Sequence, residues 1–172
     1  RVGLTNAVVN TLLGGWQVGG ILTLQDGFPA TAFCGPGNVQ NGGGYCKPDA
    51  IVGQNTALPD GEQSVQRFFN TNAFVDRLGV APGAAQPVFR YGTAGRNTII
   101  GPGIISLDAS VNKFFRFFEE KHAVELRGEF FNLPNRANFA QPGTTLRTPT
   151  YGVITGTRID SRQIQIALRY SF

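Results

Sequence analysis

Apolar and polar positions alternate along the end of the chain, from Arg162 to Phe172. Ile164, Ile166, Leu168, Tyr170 and Phe172 fall on one face, and Gln163, Gln165, Ala167, Arg169 and Ser171 on the other. This period of two predicts a β-strand with one apolar and one wet face. Three more segments carry the same pattern. Between residues 16 and 25, Trp16, Val18, Gly20, Leu22 and Leu24 oppose Gln17, Gly19, Thr23 and Gln25, with Ile21 interrupting the polar side. Between 105 and 113, Ile105, Leu107, Ala109 and Val111 oppose Ser106, Asp108, Ser110 and Asn112. Between 122 and 131, Val124, Leu126, Gly128 and Phe130 oppose Glu125, Arg127 and Glu129.

Each strand has the length that crosses a bilayer when tilted. The terminal one runs to the chain end and stops on an aromatic residue, where soluble domains usually carry a frayed polar tail. The prediction is an all-β fold, a segment of an antiparallel transmembrane β-barrel with lipid outside and water inside. It comprises about four C-terminal strands joined by long extracellular loops, 26–104 and 132–161, and a short turn near Glu119-Glu120-Lys121. With the C-terminus periplasmic, the strand directions put both long loops outside and the short turn in the periplasm. A short helix is expected near Ser64 to Phe69, inside the first long loop.

Four strands do not close a barrel, for which about eight is the minimum. Open sheet edges in lipid leave backbone groups unpaired at several kcal/mol each, so either a larger barrel supplies more strands or several copies pool theirs. The chain opens at Arg1 and lacks methionine, as expected of a fragment, a processed product or a truncated chain.

Composition agrees with β structure and long loops. Among 172 residues are 23 glycines and 14 phenylalanines, and only 15% are charged. No apolar run approaches the roughly 18 residues of a transmembrane helix. The net charge of +4 is spread without a basic stripe, so nucleic acid is not an expected partner. The aromatics concentrate at strand ends. Trp16, Phe114 and neighbours to Phe118, Tyr170 and Phe172 are expected at the periplasmic interface, and Phe28, Phe130 and Phe131 at the outer one.

Cys34 and Cys46 stand in a Gly/Pro/Asn-rich stretch. They are either two free thiols or, the preferred reading, a disulfide closing a surface loop in an oxidising compartment. Such a bridge would contribute roughly 3 kcal/mol on the chain-entropy account. A zinc site is disfavoured because His122 is the one histidine and lies far away in sequence. No catalytic motif is present, and Gly101-Pro-Gly103 and Gly42-Gly-Gly44 read as turns. Glu125 and Glu129 flank Arg127 on one face, a charge-balanced ladder rather than an acid/base pair. Asp108, Asn112, Glu125, Arg127, Glu129, Gln165 and Arg169 are expected to face the lumen. Neither enzymatic activity nor a metal or cofactor is expected.

An ordered set of short stretches resembles the C-terminal end of Oar-like TonB-dependent outer-membrane receptors. They are Leu13-Gly-Gly-Trp-Gln-Val18, Leu22-Thr-Leu-Gln-Asp-Gly-Phe-Pro29 and Phe69-Asn-Thr-Asn-Ala-Phe74. Gly95-Arg-Asn97, Gly101-Pro-Gly103 and Leu107-Asp108 before Lys113 follow. The last are Arg127-Gly-Glu-Phe-Phe-Asn132, Asn135-Arg-Ala-Asn-Phe139 and the strand opening at Arg162-Gln163. The resemblance implies the last strands of a barrel of about 22, with a plugged lumen. It implies a cell-outer-membrane location in a Gram-negative bacterium and uptake or binding of an unidentified large ligand. Implied partners are outer-membrane lipid, the rest of the barrel and its plug, and the barrel-assembly machinery, which would read Tyr170 and Phe172 as an assembly signal. TonB would act through a plug that lies N-terminal to the barrel in this family and is not contained in these residues. The competing expectation is a soluble or self-assembling β-rich adhesion or binding module.

Overall fold

The computed structural model describes residues 12–34, 46–59, 61–75, 91–117 and 122–172. The chain divides into two units, one of residues 1–25, 105–138 and 159–172, the other of 26–104 and 139–158. The predicted turn tip at Glu119-Glu120-Lys121 lies outside the described residues.

In chain order the strands are β1 (Trp16–Gln25), β2 (Pro29–Ala30), β3 (Asp49–Ala50), β4 (Phe74–Val75), β5 (Ile99–Ile100), β6 (Ile104–Phe117), β7 (His122–Phe131) and β8 (Gln163–Ser171). The first unit is built on a four-stranded sheet in the order β1-β6-β7-β8. Pairing of β6 with β7 and of β7 with β8 is antiparallel. The sheet is open, with β1 and β8 at its edges. All-β, antiparallel architecture is therefore observed, while barrel closure is not.

β6 extends beyond the predicted stretch, because pairing continues through Phe114↔Glu125, Phe115↔Val124, Arg116↔Ala123 and Phe117↔His122. Phenylalanines on both faces hid this continuation, since alternation is the signal a strand gives. Cross-strand neighbours share a face. Val111↔Gly128↔Ile166 and Lys113↔Leu126↔Leu168 thus lie on the apolar face, and Asn112↔Arg127↔Ala167 on the polar one. The apolar face is not a buried core: Val18, Ile166 and Leu168 are 77%, 77% and 72% exposed.

The second unit contains most of the two stretches predicted as loops, and it has a core of its own. Phe69, Phe74, Ile99 and Leu146 are buried there with Ala32, Ala73 and Ala94. Pairs β2–β5 and β3–β4 frame it. Tyr151 packs edge-on against Phe69 at 5.4 Å and donates its hydroxyl to the Thr71 carbonyl at 3.3 Å. Burial raises the Tyr151 phenol above its ordinary range. The expected helix at Ser64–Phe69 does not form. Instead Ser64 and Arg67 exchange backbone hydrogen bonds in both directions, at 3.0 and 3.2 Å, which closes a tight loop in place of a helical turn. A three-residue 3-10 turn follows at Thr71–Ala73, capped by the Asn70 side chain.

Glycine is required at position 27, where two of the motifs meet. A Cβ on Gly27 would strike the Gly101 carbonyl, and one on Gly101 would strike the Gln141 side chain. The close approach lets Gly101 N–H and Gln141 Nε2 both donate to the Phe28 carbonyl at 3.0 Å.

Candidate functional site

The polar face of the sheet collects all seven residues predicted to face a lumen. Asp108 and Asn112 stand on β6, Glu125, Arg127 and Glu129 on β7, and Gln165 and Arg169 on β8. Registry sets Glu125 opposite Arg169 and Glu129 opposite Gln165. Arg127 Nε lies 3.3 Å from Glu129 Oε1, both side chains being partly solvated. An ion pair so exposed contributes at most about 1 kcal/mol, so the ladder defines a hydrated wall more than it stabilises the sheet. Asn112 Oδ1 is buried and without a hydrogen-bond partner.

Aromatics gather at the end of the sheet where β7 begins and β8 ends. His122 Nδ1 is 2.6 Å from the Tyr170 hydroxyl, their rings lie nearly parallel, and Tyr170 in turn approaches Phe172 at 5.9 Å. Trp16 belongs to the same apolar surface and is half exposed. Phe130, across from Ile164, marks the other end of that surface. Phe114 pairs with Glu125 and so lies on the polar face, apart from Trp16 and Phe130.

Lys113 is a residue that alternation did not single out. It sits on the apolar face opposite Leu126, yet is only 2% exposed. Its ammonium donates to the carbonyls of Leu12, at 3.1 Å, and Gly14, and lies 5.1 Å from the centroids of Trp16 and Phe115. The charge is thus carried on a long stem to the sheet end and solvated by protein, as expected of an interfacial lysine beside lipid.

The opposite end of the sheet is tied by asparagines. Asn132, just past β7, is 2% exposed and left-handed at φ 49°. Its backbone N–H donates to Asp108 Oδ1 at 2.8 Å. Its side-chain amide donates to the carbonyls of Arg136 and Asp160, at 2.9 and 3.0 Å, and accepts from Arg136 N–H at 3.1 Å. Asn135 accepts from Arg162 N–H at 3.0 Å and Asn138 from Ile105 N–H at 2.8 Å. The ends of β7, β8 and β6 are thereby fastened together. Asn tolerates the left-handed conformation better than most residues, and its amide serves two carbonyls at once. In sequence the only signal for this knot was the stretch Phe131-Asn-Leu-Pro-Asn-Arg-Ala-Asn138.

Two features belong to the second unit. Cys34 and Cys46 are bridged, with Cα atoms 5.2 Å apart and Cys34 N–H donating to the Cys46 carbonyl at 3.1 Å, as the preferred reading of the sequence expected. A cleft of about 460 Å³ is lined by Gln54, Asn55, Glu62, Arg67, Asn70 and Asn72, with Leu58 among its few apolar residues.

An antiparallel sheet with one charged, hydrated face and one broad apolar face, ending in aromatic rows, defines a protein of the outer-membrane β-barrel class. The family model described as "Outer membrane beta barrel domain" matches residues 1–165, and the chain belongs to that family. Neither the curated proteins nor the solved structures gave a significant match. The family places the chain in the outer membrane, in association with its lipid. Among the described residues no helix is long and apolar enough to cross a membrane, a test that does not apply to strands.

The open end of the terminal strand carries a prediction. Deleting Phe172, which is 94% exposed beside Tyr170, is expected to lower the amount of assembled barrel at least several-fold without changing synthesis. The heat-modifiable band of the intact protein in outer-membrane fractions reports this. An unchanged band would remove the assembly-signal role from Phe172.

Proposed function

We propose that these residues form the closing strands and ligand-facing loops of a TonB-dependent receptor of the Oar-like type, a non-catalytic protein that binds or takes up a large ligand at the cell surface. The observation that carries this reading is the end-to-end asymmetry of the sheet. The long connections 26–103 and 132–162 leave from one end, where the asparagine knot lies, while β6 ends and β7 begins at the other, with Phe117 paired to His122. Long loops on one side and short turns on the other are the outer-membrane pattern, long side outward. Asp108, Asn132, Asn135, Arg136, Asn138 and Arg162 of the knot belong to the stretches that resemble this receptor family. On this reading the polar ladder faces a plug and water, and the free edges of β1 and β8 pair with further barrel strands, which removes the cost of open edges in lipid.

The test is photo-crosslinking in living cells between the intact protein and the inner-membrane coupling protein. Specific capture of TonB is expected. A folded, surface-displayed barrel that never captures it would overturn the receptor reading, and recovery in the soluble fraction would favour the adhesion or binding module.

A further inference from the structure

We infer that the cleft of the second unit is a binding site for a neutral saccharide. The proposal rests on the reading of the loops as ligand-facing, and it names the ligand class. The cleft is prearranged by one residue. Asn70 donates from its amide to Gln54 Oε1 and to the Asn55 carbonyl, at 3.1 and 2.9 Å, and accepts from Asn72 N–H at 3.1 Å. Its backbone N–H donates to the Thr56 carbonyl at 2.9 Å. The Asn55 side-chain oxygen is also occupied, accepting from Ala57 N–H at 3.1 Å.

What remains at the cleft surface is a set of unused polar atoms. Among the described residues, the amide nitrogens of Gln54 and Asn55, the side chain of Asn72, the Glu62 carboxylate and the Arg67 guanidinium carry no hydrogen bond or ion pair. Their placement does not depend on flexible stems alone. Arg67 N–H is held by Ser64, through both its carbonyl and its hydroxyl, and Asn72 stands on the capped 3-10 turn.

The chemistry of this set selects the ligand. Carboxamides offer donors and acceptors without charge, and the guanidinium and carboxylate add a donor fork and an acceptor pair whose charges cancel. A phosphate or carboxylate ligand would call for clustered arginines, and Arg67 is accompanied by Glu62. An apolar ligand would call for a mostly apolar pocket, whereas six of the lining residues are Asn, Gln, Glu or Arg. A neutral ligand dense in hydroxyls matches both the lack of net charge and the mixture of donors and acceptors. The volume, about 460 Å³, lies within the range of small-ligand sites.

The probe is an array of neutral oligosaccharides applied to the intact protein purified in detergent. Binding to at least one neutral glycan is expected, with a loss of tenfold or more in Asn72→Trp, whose exposed side chain would fill the cleft, and a smaller loss in Arg67→Gln. Heat-modifiability confirms that each variant is folded; if N72W does not fold, R67Q decides. No neutral-glycan binding, binding unchanged in the folded variants, or binding confined to peptides or anionic glycans would each overturn the site. The assay needs no energised membrane, so it separates the two proposals. Glycan binding without any TonB contact would sink the receptor reading and leave the cleft standing. TonB-dependent uptake insensitive to N72W would do the reverse.

Discussion

Arginine at position 166 is expected to deplete the folded barrel, whereas arginine at the adjacent position 165 is expected to be tolerated. Ile166 lies near the middle of β8, on the apolar face, across from Gly128, and is 77% exposed. A side chain opposite glycine has little cover from its neighbour, so Ile166→Arg would present its charge to hydrocarbon. The cost near mid-bilayer is about 2–4 kcal/mol, a large part of the stability of an ordinary domain. Gln165 points to the polar face and stands across from Glu129. Gln165→Arg would place its charge opposite a carboxylate in water, an effect of about 1 kcal/mol or less. Urea unfolding of the intact protein in lipid bilayers measures both. Equal losses at 165 and 166 would mean that the two faces of β8 do not meet different solvents.

The second large effect falls on the asparagine knot. Asn132→Ala removes three side-chain hydrogen bonds and strands the Asp160 carbonyl and the Arg136 N–H, while the Arg136 carbonyl keeps the Asn138 amide at 3.3 Å. Each buried group left unpaired costs about 1–3 kcal/mol, reduced where water enters. Alanine also suits the left-handed backbone at φ 49° poorly, at a cost of roughly 1 kcal/mol. We expect a total loss of about 3–5 kcal/mol. Asn132→Gly loses the same bonds but keeps the backbone conformation, so it should retain about 1 kcal/mol more than alanine. Folding stability and protease cleavage within 132–161 report the outcome. A mild effect of Asn132→Ala, within about 0.5 kcal/mol of the starting protein, would show that the knot follows from strand pairing and does not fasten it.

Strand placement was legible wherever one residue type kept to one face. β1, β7 and β8 were read from their alternation, because lipid and water on opposite sides leave a period of two in the sequence. The same logic stopped β6 too early, since Phe114 and Phe115 occupy opposite faces and erase the period. It also left Lys113 unassigned. A lysine on the lipid side looks out of place until the carbonyls of Leu12 and Gly14 and the rings of Trp16 and Phe115 are brought around it. The disulfide needed little more than two cysteines among turn residues.

The sequence by itself determined the all-β class, the division of the strands into a wet and an apolar face, and the resemblance that orders its motifs. These are local properties, written in neighbours two positions apart. Only the tertiary structure showed that residues 26–104 and 139–158 make a compact unit with its own core. The core residues Phe69, Phe74, Ile99 and Leu146 have no common period, and they meet only when the chain folds back on itself. The asparagine knot and the Asn70 cleft have the same origin. Their hydrogen bonds join Asn132 to Asp160 and Asn70 to Asn55 and Gln54, pairings that depend on chain path and leave no repeat in the sequence.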